Sequence, residues 1–188
     1  MFATLFACLA LPLGLRADEA ARRILAEINL ARTQPQAYAA IIGRSAPESC
    51  AANEAVRFLQ KATPLPPLAH SNGLAQSAAS HVADQGGTGG VGHAGRAGAN
   101  SFERIAHYGQ WQGAVGENID YGSSDARAMV VRLIVDEGIV GRKHRANIFN
   151  KTYCVAGIAA GPHARYGAMC VMDFAGDFIE HADSLAAR

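Results

Sequence analysis

The chain has 188 residues, 49% of them hydrophobic and 18% charged, which fits one domain with a real core and excludes both a disordered chain and a polytopic membrane protein. Lysine and arginine number 17 against 16 acidic residues, a formal net charge of +1. Nothing in that balance points to nucleic acid, a polybasic membrane patch or an acidic tail.

Residues 2–15 form an apolar run that ends at Arg16 and Ala17, before the chain turns polar at Asp18 and Glu19. The pattern reads as a secretory signal over residues 1–17, although no basic residue precedes the run. It is too short to span a membrane, and a buried core helix is the competing reading. Cys8, after Leu5, Phe6 and Ala7, also offers a site for lipid modification. A single domain is expected over 18–178, with a tail over 179–188.

Asp18 to Ala31 places Ala21, Ile24, Leu25 and Ile28 at helical spacing with Asp18 as cap, and Pro35 closes or restarts the helix. Gln36 to Ile42 predicts a second helix and Ser49 to Lys61 a third. Three prolines make residues 62–68 an extended connection. Asn72 to Gln85 is predicted helical, with Leu74, Ala78, His81 and Val82 on one face, which makes His81 a core or cleft-wall histidine. Residues 86–100 hold seven glycines and read as loop. A short helix follows over Ser101 to His107 and a longer one over Asp125 to about Val135. Tyr153 to Ala160 and Tyr166 to Phe174 are β-rich runs around Gly-Pro-His-Ala-Arg, which predicts an antiparallel hairpin. A hairpin centred at residue 162 would set Cys154 against Cys170 at disulfide distance if the protein is exported, and leave two buried thiols if it is not. Cys50 receives no role. Helices around a small antiparallel sheet make an α+β fold.

Candidate chemistry sits on His93 in GHAG, Glu117 in GENI, Asp136 or Glu137 in IVDEG, and His144 in KHRANIF. Two imidazoles and two carboxylates converging on one cleft would suit a divalent cation, zinc best, with a position left for water or a ligand. The alternative is a hydrogen-bonded cluster in which Glu117 accepts from both histidines and no ion is needed. No HExxH or GxSxG is present, which removes ordinary zinc proteases and serine hydrolases. The glycines from Gly86 to Gly92 follow a helix and lack a Gly-Lys-Ser or Gly-Lys-Thr ending, so phosphate binding is not indicated.

The order of these pieces, residues 68–82 (LAHSNGLAQSAASHV), then GHAG, GENI, the helix from Met129 to Glu137, HRANIF and closing strands with Gly157 and Phe174, resembles the cysteine-rich secretory, antigen 5 and pathogenesis-related family, the CAP or SCP domain, in its bacterial extracytoplasmic form. The resemblance spans about residues 18–178. It implies a three-layer α-β-α sandwich and a shared cavity lined by His93, Glu117, Asp136 and His144. Relatives often carry tryptophan followed three residues later by glutamate or serine on the helix; here those positions hold Leu133 and Asp136, with Glu137 as the alternative. The implied function is a secreted protein whose cleft binds a divalent cation or a small ligand. A metal-dependent hydrolase using the same residues, with cation-bound water as nucleophile, and a carrier of lipid, sterol or peptide are the alternatives.

Overall fold

The computed structural model describes residues 13–46, 48–96 and 98–182. Seven helices appear among them: α1 (Leu13–Thr33), α2 (Pro35–Ser45), α3 (Cys50–Lys61), α4 (Asn72–Gly86), α5 (Ser101–Tyr108), α6 (Ala126–Val135) and α7 (Lys143–Ile148). Four strands complete the domain: β1 (Ala69–His70), β2 (Gly109–Tyr121), β3 (Val155–His163) and β4 (Gly167–Glu180). The apolar run of the proposed signal lies outside the described residues up to Pro12, and the α1 backbone is already helical through Ala17. β4 extends to Glu180, two residues into the stretch expected to be tail. Among the described residues no helix is long and apolar enough to cross a membrane.

Short polar side chains set the helix starts, as their ability to accept from exposed N–H groups dictates. Ser49 accepts from the Ala52 N–H, Ser71 from Leu74 and Asp125 from Ala128. Asn100 and Glu103 close a reciprocal capping box at α5.

The strands form one mixed sheet in the order β1-β3-β4-β2, with β1 parallel to β3 and the other pairings antiparallel. Alternation along the strands separates the two faces. Ala156, Ile158, Cys170, Met172 and Phe174 join the main core with Ile24, Ile28, Met129 and Ile134 from α1 and α6. The opposite residues face α4 and α5: Met169, Val171 and Ile119 pack with Ala78, while Ala175 packs with Leu74 and Ile105. Helices therefore cover both faces, giving the α-β-α sandwich. α4 lies so close to the sheet that a Cβ on Gly157 would overlap the backbone of Leu74 and Ala75. Arg32, fully buried on α1, donates to the carbonyls of Pro66, Ile148, Asn150 and Tyr153, joining the proline connector to α7 and the start of the hairpin.

The hairpin corrects the expected disulfide. Its register pairs His163 with Gly167 and Val155 with Ala175, which puts its centre at residue 165 rather than 162. Strand β3 runs through Gly161 and Pro162, and the turn is tightened by His163 Nδ1 accepting from the N–H groups of Arg165 and Tyr166. Cys170 consequently faces Ala160, while Cys154 donates its N–H to Ala175. Cys50, Cys154 and Cys170 are all free thiols.

Candidate functional site at the edge of the sheet

β2 is the edge strand of the sheet, and Glu117 and Asn118 point to its opposite faces. Glu117 turns towards α4 and α5, almost wholly buried, with one oxygen 2.7 Å from His93 Nδ1 and the other 2.5 Å from a terminal nitrogen of Arg104. Asn118 turns the other way, donating to the His144 carbonyl at 3.0 Å, while Asn147 donates to Asn118 Oδ1 at 2.8 Å and to the Glu117 carbonyl at 3.2 Å. Two successive residues of one strand thus anchor the surroundings of both histidines. Gly116 is required here, because a Cβ would run into the Tyr153 hydroxyl.

The glycine loop is pinned rather than loose. His81 Nε2 and Gln85 Nε2 donate to the Gly92 carbonyl at 2.9 and 3.0 Å, and Gln85 also donates to Ala94. The Gly92 N–H donates to the Tyr121 hydroxyl, which in turn donates to Gln85. Gly92 holds φ at +92°, a conformation that favours glycine. Arg104 donates to the His93 carbonyl at 2.7 Å, so one guanidinium fixes both the backbone of His93 and the acid that holds its ring. His81 is fully buried, and burial pushes its imidazole below the usual range.

The second pair is built differently. Asp136 is the left-handed residue that ends α6, at φ 55° and ψ 42°, a conformation aspartate tolerates better than most residues. That twist aims its buried carboxylate at the start of α7. It accepts from His144 Nδ1 at 2.6 Å and from the His144 N–H at 2.9 Å. Glu137, the alternative acid, is exposed and forms no hydrogen bond or ion pair with His144 among the described residues.

A carboxylate can only accept, so each imidazole donates through Nδ1 and, in its neutral form, keeps its lone pair on Nε2. The four side chains therefore sort into two donor–acceptor pairs rather than one ring of ligands. Among the described residues no three His, Cys, Asp or Glu side chains gather as a metal-holding group. Nor does Glu117 accept from both histidines; Arg104 takes the place expected for the second ring. Open hollows of about 500 Å³ beside Glu54 and residues 138–142, and about 710 Å³ between α1 and α6, contain neither histidine.

Residues 25–174 match the model of the cysteine-rich secretory protein (CAP) family. The chain belongs to that family. Among solved structures it is similar to an outer surface protein of Borrelia burgdorferi, at 18% identity and a TM-score of 0.50, covering 59% of this chain and 78% of that one. It is also similar to an extracellular protein containing a SCP domain from Bacillus anthracis, at 20% identity and a TM-score of 0.49, covering 70% of this chain and 45% of that one. No curated protein sequence matches.

The sequence passed over several residues of this CAP site. Arg104 bears no motif, Asn147 sits inside HRANIF without having been given a role, and Asp173 is hidden in an apolar strand. A charged residue in the run Val171-Met172-Asp173-Phe174 was the available signal, because an unpaired acid rarely occupies a buried strand.

Proposed function

We propose that this CAP domain works outside the cytoplasm as a ligand-binding protein, holding a divalent cation or small ligand at the β2 edge through the outward nitrogens of His93 and His144. One observation carries the reading: both rings spend Nδ1 on a buried carboxylate and, among the described residues, leave Nε2 uncommitted. That is the arrangement by which proteins orient imidazole ligands, the acid fixing the tautomer and raising the basicity of the other nitrogen. Glu117 and Asp136 are then positioning groups, and water or the ligand itself completes the coordination. Zinc suits two neutral imidazoles best. Both acids being committed to ring N–H groups also counts against the hydrolase alternative, which needs a base free to take a proton from water. The similar Borrelia burgdorferi protein is an outer surface protein, which accords with an extracytoplasmic setting.

The test is a calorimetric zinc titration of the wild type against His93→Ala and His144→Ala. At least a tenfold loss of affinity is expected in each variant. Equal affinity in all three proteins removes the cation reading.

A further inference from the structure

Five buried side-chain atoms have no hydrogen-bond partner among the described residues: Ser77 Oγ, His81 Nδ1, Arg104 Nε and both carboxyl oxygens of Asp173. Buried polar atoms are nearly always paired, so five exceptions demand an explanation. They are neighbours. Gly157, Asp173 and Glu117 lie opposite one another across β3, β4 and β2, in one row facing α4. Ser77 and His81 are four residues apart on α4 and share its inward side. Ser77, Glu117 and Arg104 all bear on the Asp173 carboxyl, yet none closes a bond of ordinary geometry to it. The row is polar between two apolar patches, with Val171 and Ala78 on one side and Ala175 and Leu74 on the other.

We propose that this strip is an internal hydration site, in which ordered water bridges Asp173 to Ser77, His81 and Arg104 and so fixes the Arg104–Glu117–His93 chain from behind. The chemistry of the unpaired atoms selects water. Arg104 Nε can only donate, and His81 Nδ1 accepts, because Nε2 is donating to Gly92. A ligand serving both must donate and accept. A cation would lie against the Arg104 guanidinium, an anion against the Glu117 carboxylate, and an apolar group would leave each polar atom unpaired. Water meets every demand, and internal waters with about three such partners are a regular part of folded proteins. Arg104 is then held on both flanks, by Glu117 through a terminal nitrogen and by water through Nε, which makes Asp173 and Ser77 positioning residues for the His93 pair.

Water is expected there whether or not the histidines take a cation, and the test uses the metal-free wild type. Selective NMR transfer from water is expected to give the Arg104 Nε–H a cross-peak of the same sign as contacts within the protein, the mark of a water that outlasts tumbling. Ser77→Ala, which deletes one partner, is expected to weaken that cross-peak at least severalfold. No water cross-peak at Arg104 Nε–H in the wild type overturns the site, and an undiminished one in Ser77→Ala overturns the shared network. A high-resolution crystal structure in which Ser77 and Glu117 bond Asp173 directly, with nothing between them, overturns it as well.

Discussion

The two histidine–carboxylate pairs at the sheet edge look alike in outline and differ in what supports them. His93 hangs from a loop, with 56% of its side chain exposed, and its acid belongs to a strand and answers a buried arginine as well. His144 lies in the first turn of a helix, with 22% of its side chain exposed, and its acid caps the end of the preceding helix, serving both the ring and the backbone N–H. In the first pair the acid has a structural partner besides the histidine. In the second, histidine and acid are part of the joint between α6 and α7, beside Arg142 and Arg145, which donate to carbonyls at the end of α6. The same two-residue contact can thus be grafted onto an existing ion pair or be the element that sets a loop's geometry.

Removing the acids separates these roles. Glu117→Ala leaves the Arg104 guanidinium, only 9% exposed, without its carboxylate. Stranding one partner of a buried pair costs about 3–5 kcal/mol, and chemical denaturation should register a loss of that size. Asp136→Ala strips two donors of His144 of their acceptor and places alanine in a left-handed conformation, for about 2–3 kcal/mol in the same measurement. Asp136→Asn, which tolerates that conformation and keeps an acceptor, should recover half or more of it. A Glu117→Ala cost no larger than that of His93→Ala would show that the arginine does not depend on the acid.

How much of this could be read from the chain varies with the kind of signal. Helices α3, α4 and α6 were legible because periodicity and a capping Ser49, Ser71 or Asp125 agree on one boundary. GHAG, GENI and HRANIF drew attention to His93, Glu117 and His144, while IVDEG left Asp136 and Glu137 as alternatives. Their pairing was not, since whether Glu117 meets a second histidine or an arginine depends on α5 packing across β2, a contact between residues 13 apart with no periodic trace. The hairpin centre was misplaced by three residues because Gly161 and Pro162 signal a turn, whereas the strand continues through them at the β3–β4 pairing and turns only after His163. The length of β2 was obscured by its glycines, one of which, Gly113 at φ +72°, lies at the register shift between Gln112 and Val115.

Protonation sharpens the contrast on the loop side, where two buried titratable groups act in opposite directions. Burial, then the charge of Glu117, hold the Asp173 carboxyl well above the usual carboxylate range. The unfolded chain releases that proton near pH 3.9 while the native state keeps it, so stability falls as pH rises above that value. Asp173→Asn carries no such proton. Its melting temperature relative to wild type should climb between about pH 4 and pH 7, and a gap that shrinks over that range would contradict the buried neutral acid. His81 acts the other way, because its lowered value means the unfolded chain binds a proton first as pH falls below about 6.5. His81→Gln, able to keep donating to the Gly92 carbonyl, should flatten the acid side of the wild-type stability curve.

The smallest expected effect is on the histidines' own contribution to the fold. His93→Ala removes a mostly exposed ring whose partner retains Arg104, so the cost should stay within about 1 kcal/mol, as for surface ion pairs. His144→Ala leaves its backbone N–H bonded to Asp136 but takes the ring donor from a buried carboxylate, and should cost more, about 1–2 kcal/mol. If the two alanine variants unfold at the same denaturant concentration, the joint between α6 and α7 rests on the backbone bonds to Asp136 and on the Arg142 and Arg145 bonds to the end of α6, and the His144 ring carries no more structural duty than that of His93.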